Sequence, residues 1–262
     1  MSGIKNTLQP SVFRLQPLSI LPTPIGNLGD LSHRVEETLS ECDLVVAEDT
    51  RRAEQLLNHL GIKKPLISFH EHNERERLPR LLEELRSGKR VALVSDAGTP
   101  SISDPGYRLI AACIEEKISY TILPGPSAVI TALVGSGLPP VPFYLGGFLP
   151  ASGSKRRAEL KAATERGVTS IYFESPHRLL KALEDFVKLL PEARLCVARE
   201  LSKKFEEYVH GTPQEVLHHF QQEQVRGEIT LVFHPNSGSN QSLQSSVFSL
   251  QPSNTPILRN LA

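Results

Sequence analysis

The sequence contains no tryptophan, a single methionine and only three cysteines among 262 residues. The cysteines, Cys42, Cys113 and Cys196, stand far apart in apolar stretches. Their spacing offers neither a disulfide framework nor a zinc site. We therefore expect buried free thiols in a reducing compartment, the cytoplasm.

An excess of charge of one sign is also absent, because 29 lysines and arginines balance 29 aspartates and glutamates. This balance excludes a global field that would draw the protein to nucleic acid, although a local basic surface can still form. No apolar run reaches the roughly 18 residues of a transmembrane helix. The first residues lack the apolar core of a signal peptide.

Short apolar runs alternate with amphipathic segments along most of the chain. This alternation predicts repeated βα units, and hence an α/β fold whose first sheet is mostly parallel with helices on both faces. Prolines between residues 139 and 142 mark the expected boundary to a smaller, mixed α/β domain. The predicted organisation is a disordered leader, an N-terminal domain, a C-terminal domain and a low-complexity tail, at 1–17, 18–140, 141–235 and 236–262.

The loop at residues 95–106 directly follows an apolar run, Val91–Val94, and is rich in glycine, proline and serine. Ligands of α/β proteins bind outside the carboxyl ends of strands, so this loop is a predicted ligand site. Gly98 lets a ligand approach the backbone closely. Asp104 precedes a proline, and we expect it to cap the next helix rather than to contact a ligand.

Two further loops follow predicted strands. The turn at residues 23–26 lacks the spaced glycines of a dinucleotide site, which disfavours a cofactor with a pyrophosphate. Ser127 follows a Pro-Gly-Pro turn and is a predicted helix N-cap, next to backbone N–H groups that a polar ligand can use. Thr50 is predicted to cap the helix after the second strand.

Nine motifs in a fixed order resemble those of bacterial 2′-O-ribose methyltransferases that act on small-subunit ribosomal RNA, a branch of the tetrapyrrole methylase superfamily. The resemblance covers residues 18–234. The motifs are PTPIGNL (22–28), AEDTR (47–51), FHEHNE (69–74), SDAGTPSISDPG (95–106), LPGPSA (123–128), GFLP (147–150), ESPHR (174–178), ARE (198–200) and GE (227–228).

The resemblance implies the two-domain fold of class III methyltransferases, which use S-adenosylmethionine, with the cofactor in the cleft between domains and a homodimeric assembly. It also implies a substrate, the ribose 2′-hydroxyl of a cytidine in the decoding centre of 16S ribosomal RNA within the 30S subunit. The expected cofactor contacts are Pro24, Ile25, Asp96, Gly98, Thr99, Ser127, Ala128 and Phe148.

Basic and imidazole side chains supply the expected RNA contacts. Three cations at one helix start oppose the helix dipole, which favours a phosphate contact over a merely solvated helix end. Two histidines two residues apart have no third ligand at a convincing spacing, so we expect no metal and place them at the RNA-facing surface. The RNA contacts are Arg51, Arg52, His70, His72, Lys155, Arg156, Arg157, His177 and Arg178.

Methyl transfer to a ribose hydroxyl needs alignment of two reactants and gains from a general base. The candidate bases are Asp49, Glu48 and Glu174, and we favour Asp49. Two other functions stay open: a tetrapyrrole methyltransferase with the same cofactor, and a non-catalytic RNA-binding module on the same scaffold.

Overall fold

The computed structural model describes residues 15–222 and 224–235. The predicted tail lies outside this part of the chain, as does the predicted leader apart from residues 15–17. Among the described residues, no helix is long and apolar enough to cross a membrane. The chain divides into two compact units.

The first unit comprises the described residues up to Ala132 together with Arg199–Glu207. Its parallel sheet has the strand order β3-β2-β4-β1-β5 and confirms the predicted βα alternation. The elements are β1 (Leu18–Leu21), α1 (His33–Glu41), β2 (Leu44–Ala47), α2 (Thr50–His59), β3 (Leu66–Ser68), α3 (Glu74–Arg86), β4 (Val91–Val94), α4 (Tyr107–Glu115), β5 (Tyr120–Ile122) and α5 (Ala128–Gly135), which runs past the unit boundary.

Helices cover both faces of this sheet, because the central strands β2, β4 and β1 are buried at every residue. Alternate side chains of a strand point to opposite faces. In β2, Leu44 and Val46 join the core under α3 and α4, whereas Val45 and Ala47 join the core under α1 and α2. The strand therefore contributes to two separate cores.

The connections that follow the neighbouring strands β1 and β4 run toward opposite sides of the sheet. From β1 the chain crosses to β2, and from β4 it crosses to β5 on the other side. The loops after these strands are joined where they begin: Thr23 N–H donates to Gly98 O and Gly98 N–H donates to Thr23 O, both at 2.9 Å. Ligand sites of open α/β sheets lie at such switch points.

Two predicted helix caps are wrong. The N-cap of α2 is Asp49, whose Oδ1 accepts a hydrogen bond from Arg51 N–H at 2.9 Å. Helix α4 begins at Tyr107 with Gly106 as its N-cap, so Asp104 caps no helix. The helix does not begin before Tyr107, because Gly106 has a φ of +132°, which is not helical. A side chain at this position would not fit, since a Cβ would lie 2.6 Å from Ser101 Oγ.

The second unit comprises Leu133–Ala198 and the described residues from Tyr208 onward. Its sheet is mixed, as predicted, because β6 pairs with β7 in parallel and β7 pairs with β10 antiparallel. The strand order is β6-β7-β10-β8-β9. The elements are β6 (Phe143–Phe148), α6 (Gly153–Arg166), β7 (Thr169–Glu174), α7 (Leu179–Leu189), β8 (Arg194–Arg199), β9 (Glu207–Gly211), α8 (Pro213–Gln221) and β10 (Ile229–His234).

A buried ion pair joins α6 to α7 in this unit. Arg156 Nε donates to Asp185 Oδ2 at 2.8 Å, and Arg156 Nη2 lies 2.7 Å from the same oxygen. Both side chains are 7% exposed. Arg156 therefore has a structural role and offers almost no surface to a phosphate, in contrast to the RNA contact expected from the sequence.

We predict that Arg156→Ala lowers the free energy of unfolding by about 3–5 kcal/mol, because it leaves the carboxylate of Asp185 buried without its main partner. Urea unfolding followed by circular dichroism measures this loss. Arg157→Ala is the matched control, since Arg157 is 48% exposed and lies 3.5 Å from Asp185 Oδ1. Its expected cost is below about 1 kcal/mol. Equal costs for both variants would contradict a structural role specific to Arg156.

Candidate active site

The predicted site residues of the first unit come from the loops that follow its strands. Because the strands are parallel, these loops meet at one edge of the sheet. They form two groups. We call the group after β1, β4 and β5 the neutral pocket, because no basic side chain lines its cavity. We call the carboxyl groups of Glu48, after β2, and of Asp96 and Asp104, after β4, the acidic cluster. The β4 loop, residues 95–106, contributes to both.

The neutral pocket contains a cavity of about 430 Å³. Two expected cofactor contacts, Ile25 and Ser127, line it, and so do two residues that the sequence reasoning missed, Asp30 and Ser202. No local signal marked Ser202, because it reaches the pocket from a distant part of the chain. The remaining lining residues are Gly125, Pro126, Ile130 and Thr131.

The β4 loop forms one wall beside this cavity. Thr99 Oγ1 lies 3.5 Å from the carbonyl oxygen of Pro126, its hydrogen-bond acceptor. Gly98 packs so closely that an added Cβ would lie 3.5 Å from Ile25 Cγ2. Pro24, the neighbour of Ile25, is half-buried. These contacts bring the expected cofactor residues after three different strands together.

Helix α5 begins at this pocket with Ala128. Ser127 caps it as predicted, because Ser127 Oγ accepts a hydrogen bond from Ile130 N–H at 3.4 Å. The first N–H groups of a helix lack partners inside the helix and can bind a carboxylate. At the same cavity, Asp30 supplies a negative charge, and none of the lining residues is basic.

The pocket therefore fits S-adenosylmethionine better than a phosphorylated cofactor. That molecule combines an adenosine with a sulfonium, an ammonium and a carboxylate, and carries no phosphate. A cavity with one carboxylate, one helix N-terminus and no basic side chain among its lining residues matches those groups. A pyrophosphate would need the basic or glycine-rich cradle that the lining residues do not form.

The acidic cluster consists of Glu48, Asp96 and Asp104. Asp96 is engaged there: its Oδ1 accepts a hydrogen bond from Asp49 N–H at 3.1 Å, and its Oδ2 lies 3.5 Å from Arg52 Nε. The carboxylate thus fixes the turn that leads from β2 into α2. A cofactor contact by Asp96 stays a prediction.

The carboxyl groups near this turn differ in proton affinity. Burial raises the pKa of Asp104 to about 7, and the charges of Glu48 and Asp96 add to the effect. Burial and the charge of Asp96 also raise the pKa of Glu48. By contrast, hydrogen bonds from Arg51 lower the pKa of Asp49 to about 2. Arg51 Nη2 lies 2.6 Å from Asp49 Oδ2.

His70 and His72 lie in the turn between β3 and α3, with ring centroids 6.0 Å apart. Asn73 orients the first of them, because its Nδ2 lies 3.0 Å from His70 Nε2 and its Oδ1 accepts from His70 N–H. His72 is exposed. Within the described part of the chain, no three His, Cys, Asp or Glu side chains are grouped so that they could hold a metal ion.

The other expected site residues belong to the second unit. The side chain of Glu174 is fully buried at the end of β7, where its Oε1 accepts from Ser175 N–H at 2.7 Å and lies 2.5 Å from Arg178 Nη2. Phe148 is 62% exposed at the end of β6. Of the RNA contacts expected in this unit, Lys155, Arg157 and His177 are exposed.

We predict that Asp104 makes stability depend on pH. Its folded-state pKa is about 7, above the roughly 3.9 of an unfolded aspartate. The folded state therefore binds more protons between these values, and the free energy of unfolding falls as pH rises from about 4 through about 7. Asp104→Asn should flatten this decline in thermal unfolding at several pH values.

Glu115→Gln, which changes an exposed carboxylate on α4, serves as the control and should leave the decline as it is in the unchanged protein. A decline that persists in Asp104→Asn would mean that another group binds the proton.

Comparisons with known proteins agree with this geometry. A family model for Tetrapyrrole (Corrin/Porphyrin) Methylases matches residues 17–217. The chain is 46% identical to a ribosomal RNA small subunit methyltransferase I of Thermotoga maritima over 215 residues, 82% of this chain and 96% of that protein. It is also 46% identical to the protein of that name from Escherichia coli O157:H7 over 230 residues, 86% of this chain and 80% of that one.

Solved structures share the fold at low identity. Diphthine synthase superposes with a TM-score of 0.64 at 16% identity, covering 83% of this chain and 89% of its own. Cobalt precorrin-4 methyltransferase superposes with a TM-score of 0.60 at 16% identity, covering 83% of this chain and 94% of its own.

Proposed function

The chain belongs to the tetrapyrrole methylase family, and we propose that it methylates the ribose 2′-hydroxyl of a cytidine in the decoding centre of 16S ribosomal RNA. Its relatives of 42–46% identity are named for the small ribosomal subunit, and members of this family use S-adenosylmethionine. The chain is thus an S-adenosylmethionine-dependent ribosomal RNA methyltransferase. The nucleotide, the ribose position and the 30S context form the proposal.

One observation carries this proposal: a neutral pocket and an acidic cluster share the same sheet edge and the same β4 loop. A 2′-hydroxyl is a weak nucleophile, so its methylation gains from a nearby group that takes its proton. The cluster supplies carboxyl groups with raised pKa for this purpose. A non-catalytic binding module would need neither the cavity nor these carboxyls.

We assign cofactor binding to the neutral pocket. Ile25, Gly98 and Thr99 would form its walls beside Pro24, while Ser127 and Ala128 present the helix N-terminus. Asp30 would balance the positive charge of the ligand. When bound, S-adenosylmethionine supplies an electrophilic methyl group, and the protein's task is to align the acceptor and exclude water.

Glu48 is the best candidate for the base. Its raised pKa brings its proton affinity closer to neutral pH than that of Asp49, whose carboxylate is occupied by Arg51. Glu174 has a fully buried side chain paired with Arg178. We propose that Glu48 accepts the proton of the 2′-hydroxyl as the methyl group leaves the sulfonium, and that burial and the charge of Asp96 raise its affinity for that proton.

RNA phosphates would contact exposed cations at both units. Arg51 and Arg52 lie at the start of α2 and are exposed. His70 and His72 lie in the turn before α3. Lys155, Arg157 and His177 supply the second unit's contribution, whereas Arg156 is buried and the partly buried Arg178 is paired with Glu174.

The edge strand β5 supports a homodimer. Among the strands of the described residues, β5 pairs only with β1, and its Tyr120 and Ile122 are 37% and 52% exposed. An exposed apolar strand edge is a liability that a second copy would cover. We further propose that the protein works in the cytoplasm, where its ribosomal substrate lies.

We predict that the purified protein transfers a labelled methyl group from S-adenosylmethionine to 30S subunits that lack the modification. Digestion of the RNA and mass spectrometry should then find 2′-O-methylcytidine at one position. Parallel reactions with naked 16S ribosomal RNA and with precorrins separate the substrate classes. Methylation of a precorrin alone would favour the small-molecule alternative, and cofactor binding without any transfer would favour the binding module.

Glu48→Gln should lower kcat by about 10²–10⁴-fold, the usual contribution of a general base. It should leave the dissociation constant for S-adenosylmethionine unchanged. Asp49→Asn should cost less in kcat, because the lost carboxylate pairs with Arg51 and caps α2 rather than holding a proton near neutral pH. Single-turnover assays on 30S subunits and calorimetric cofactor titrations measure both quantities, and the reverse ranking would identify Asp49 as the base.

A further inference from the structure

A loop of the first unit presents a large aromatic ring to solvent. We call residues 200–206 the Phe205 loop. The side chain of Phe205 is 68% exposed, and the Nζ of its neighbour Lys204 lies 5.5 Å from the centre of the ring. Lys204 and Glu206, on either side, are both exposed. The exposed ring is therefore flanked along the chain by two exposed charged residues.

The backbone holds this ring in a fixed place. Lys203 N–H donates to Glu200 O at 3.0 Å, and Glu206 N–H donates to Lys203 O at 3.1 Å. Ser202 N–H donates to Glu206 Oε2 at 2.6 Å. Glu200 and Ser202 adopt φ values of +52° and +62°, which are unfavourable for residues with side chains. Such strain persists where the surrounding structure enforces it, often at a binding site.

The Phe205 loop borders the neutral pocket. Ser202 is one of the residues that line the cavity. On the other side, the loop packs on Gly26, where an added Cβ would lie 2.3 Å from Lys203 Cγ and 2.9 Å from Leu201 O. Phe205 thus lies three residues after Ser202, which lines the proposed cofactor site, and both residues belong to the first unit.

An exposed aromatic ring beside a lysine can bind single-stranded nucleic acid. Nucleic-acid-binding proteins stack unpaired bases on such rings and neutralise the adjoining phosphate with the cation. We propose that Phe205 stacks on a nucleobase of the RNA substrate next to the methylated nucleotide, while Lys204 contacts a phosphate of the same strand. This inference rests on the proposed RNA methyltransferase function and adds a contact that no motif of the sequence had indicated.

Substitutions at Phe205 separate stacking from simple packing. Phe205→Ala and Phe205→Leu should each raise KM for unmodified 30S subunits and weaken binding of unmodified 16S ribosomal RNA by about 5-fold or more. Phe205→Trp should retain both, because it keeps a π-face. The dissociation constant for S-adenosylmethionine should stay unchanged in all three. Phe143→Ala, which removes a 41% exposed ring of the second unit, is the control.

Lys204→Gln tests the phosphate contact. It should reduce by about one the slope of log affinity for 16S ribosomal RNA against log salt concentration. Lys63→Gln removes the same charge from an exposed site just before β3, at the opposite edge of the sheet, and should leave the slope unchanged.

Several results would overturn the inference. One such result is an affinity for 16S ribosomal RNA that Phe205→Ala leaves unchanged. Another is an affinity for 16S ribosomal RNA that Phe205→Leu leaves unchanged, which would indicate an apolar contact without stacking. A change of oligomeric state in Phe205→Ala, with RNA binding intact, would assign the ring to a protein interface. If the unchanged protein methylates no RNA, the proposed function fails, whereas the RNA-binding comparison still tests Phe205.

Discussion

Two backbone hydrogen bonds between Thr23 and Gly98 hold the candidate site together. They join the loops of two strands whose crossovers leave toward opposite faces of the sheet. A third hydrogen bond, from Thr23 Oγ1 to the carbonyl oxygen of Ser95 at 3.1 Å, links the same two loops. The turn after β1, which lines the neutral pocket, and the loop after β4, which carries Asp96 and Asp104, are therefore joined through their main chains.

The pocket and the cluster differ in the forces that shape them. Close packing dominates the pocket, where Gly98, Ile25 and Pro126 approach each other closely. Electrostatics dominate the cluster, where burial next to like charges favours bound protons on Glu48 and Asp104. Hydrogen bonds from Arg51 lower the pKa of Asp49. Of the two adjacent carboxyl groups, Glu48 is therefore the one with a raised pKa.

The fold class was predictable from sequence, because apolar runs and the turns after them are local patterns. The same turns indicated a candidate site, and two of its expected cofactor contacts, Ile25 and Ser127, line the cavity. The cap of α5, Ser127, also follows from local residue preference. The burial of Arg156 was not predictable, since its partner lies 29 residues later in another helix. Asp104 was misread for a similar reason, because Glu48, whose charge helps to raise its pKa, comes from the loop after β2.

The order of the strands has a consequence for how this scaffold can diversify. In the proposed assignment, the walls of the cofactor site come from the loops after β1, β4 and β5, whereas the loops that would face the acceptor follow β2 and β3. Under that assignment, changes in the loops after β2 and β3 can alter acceptor choice while methyl-donor binding stays intact.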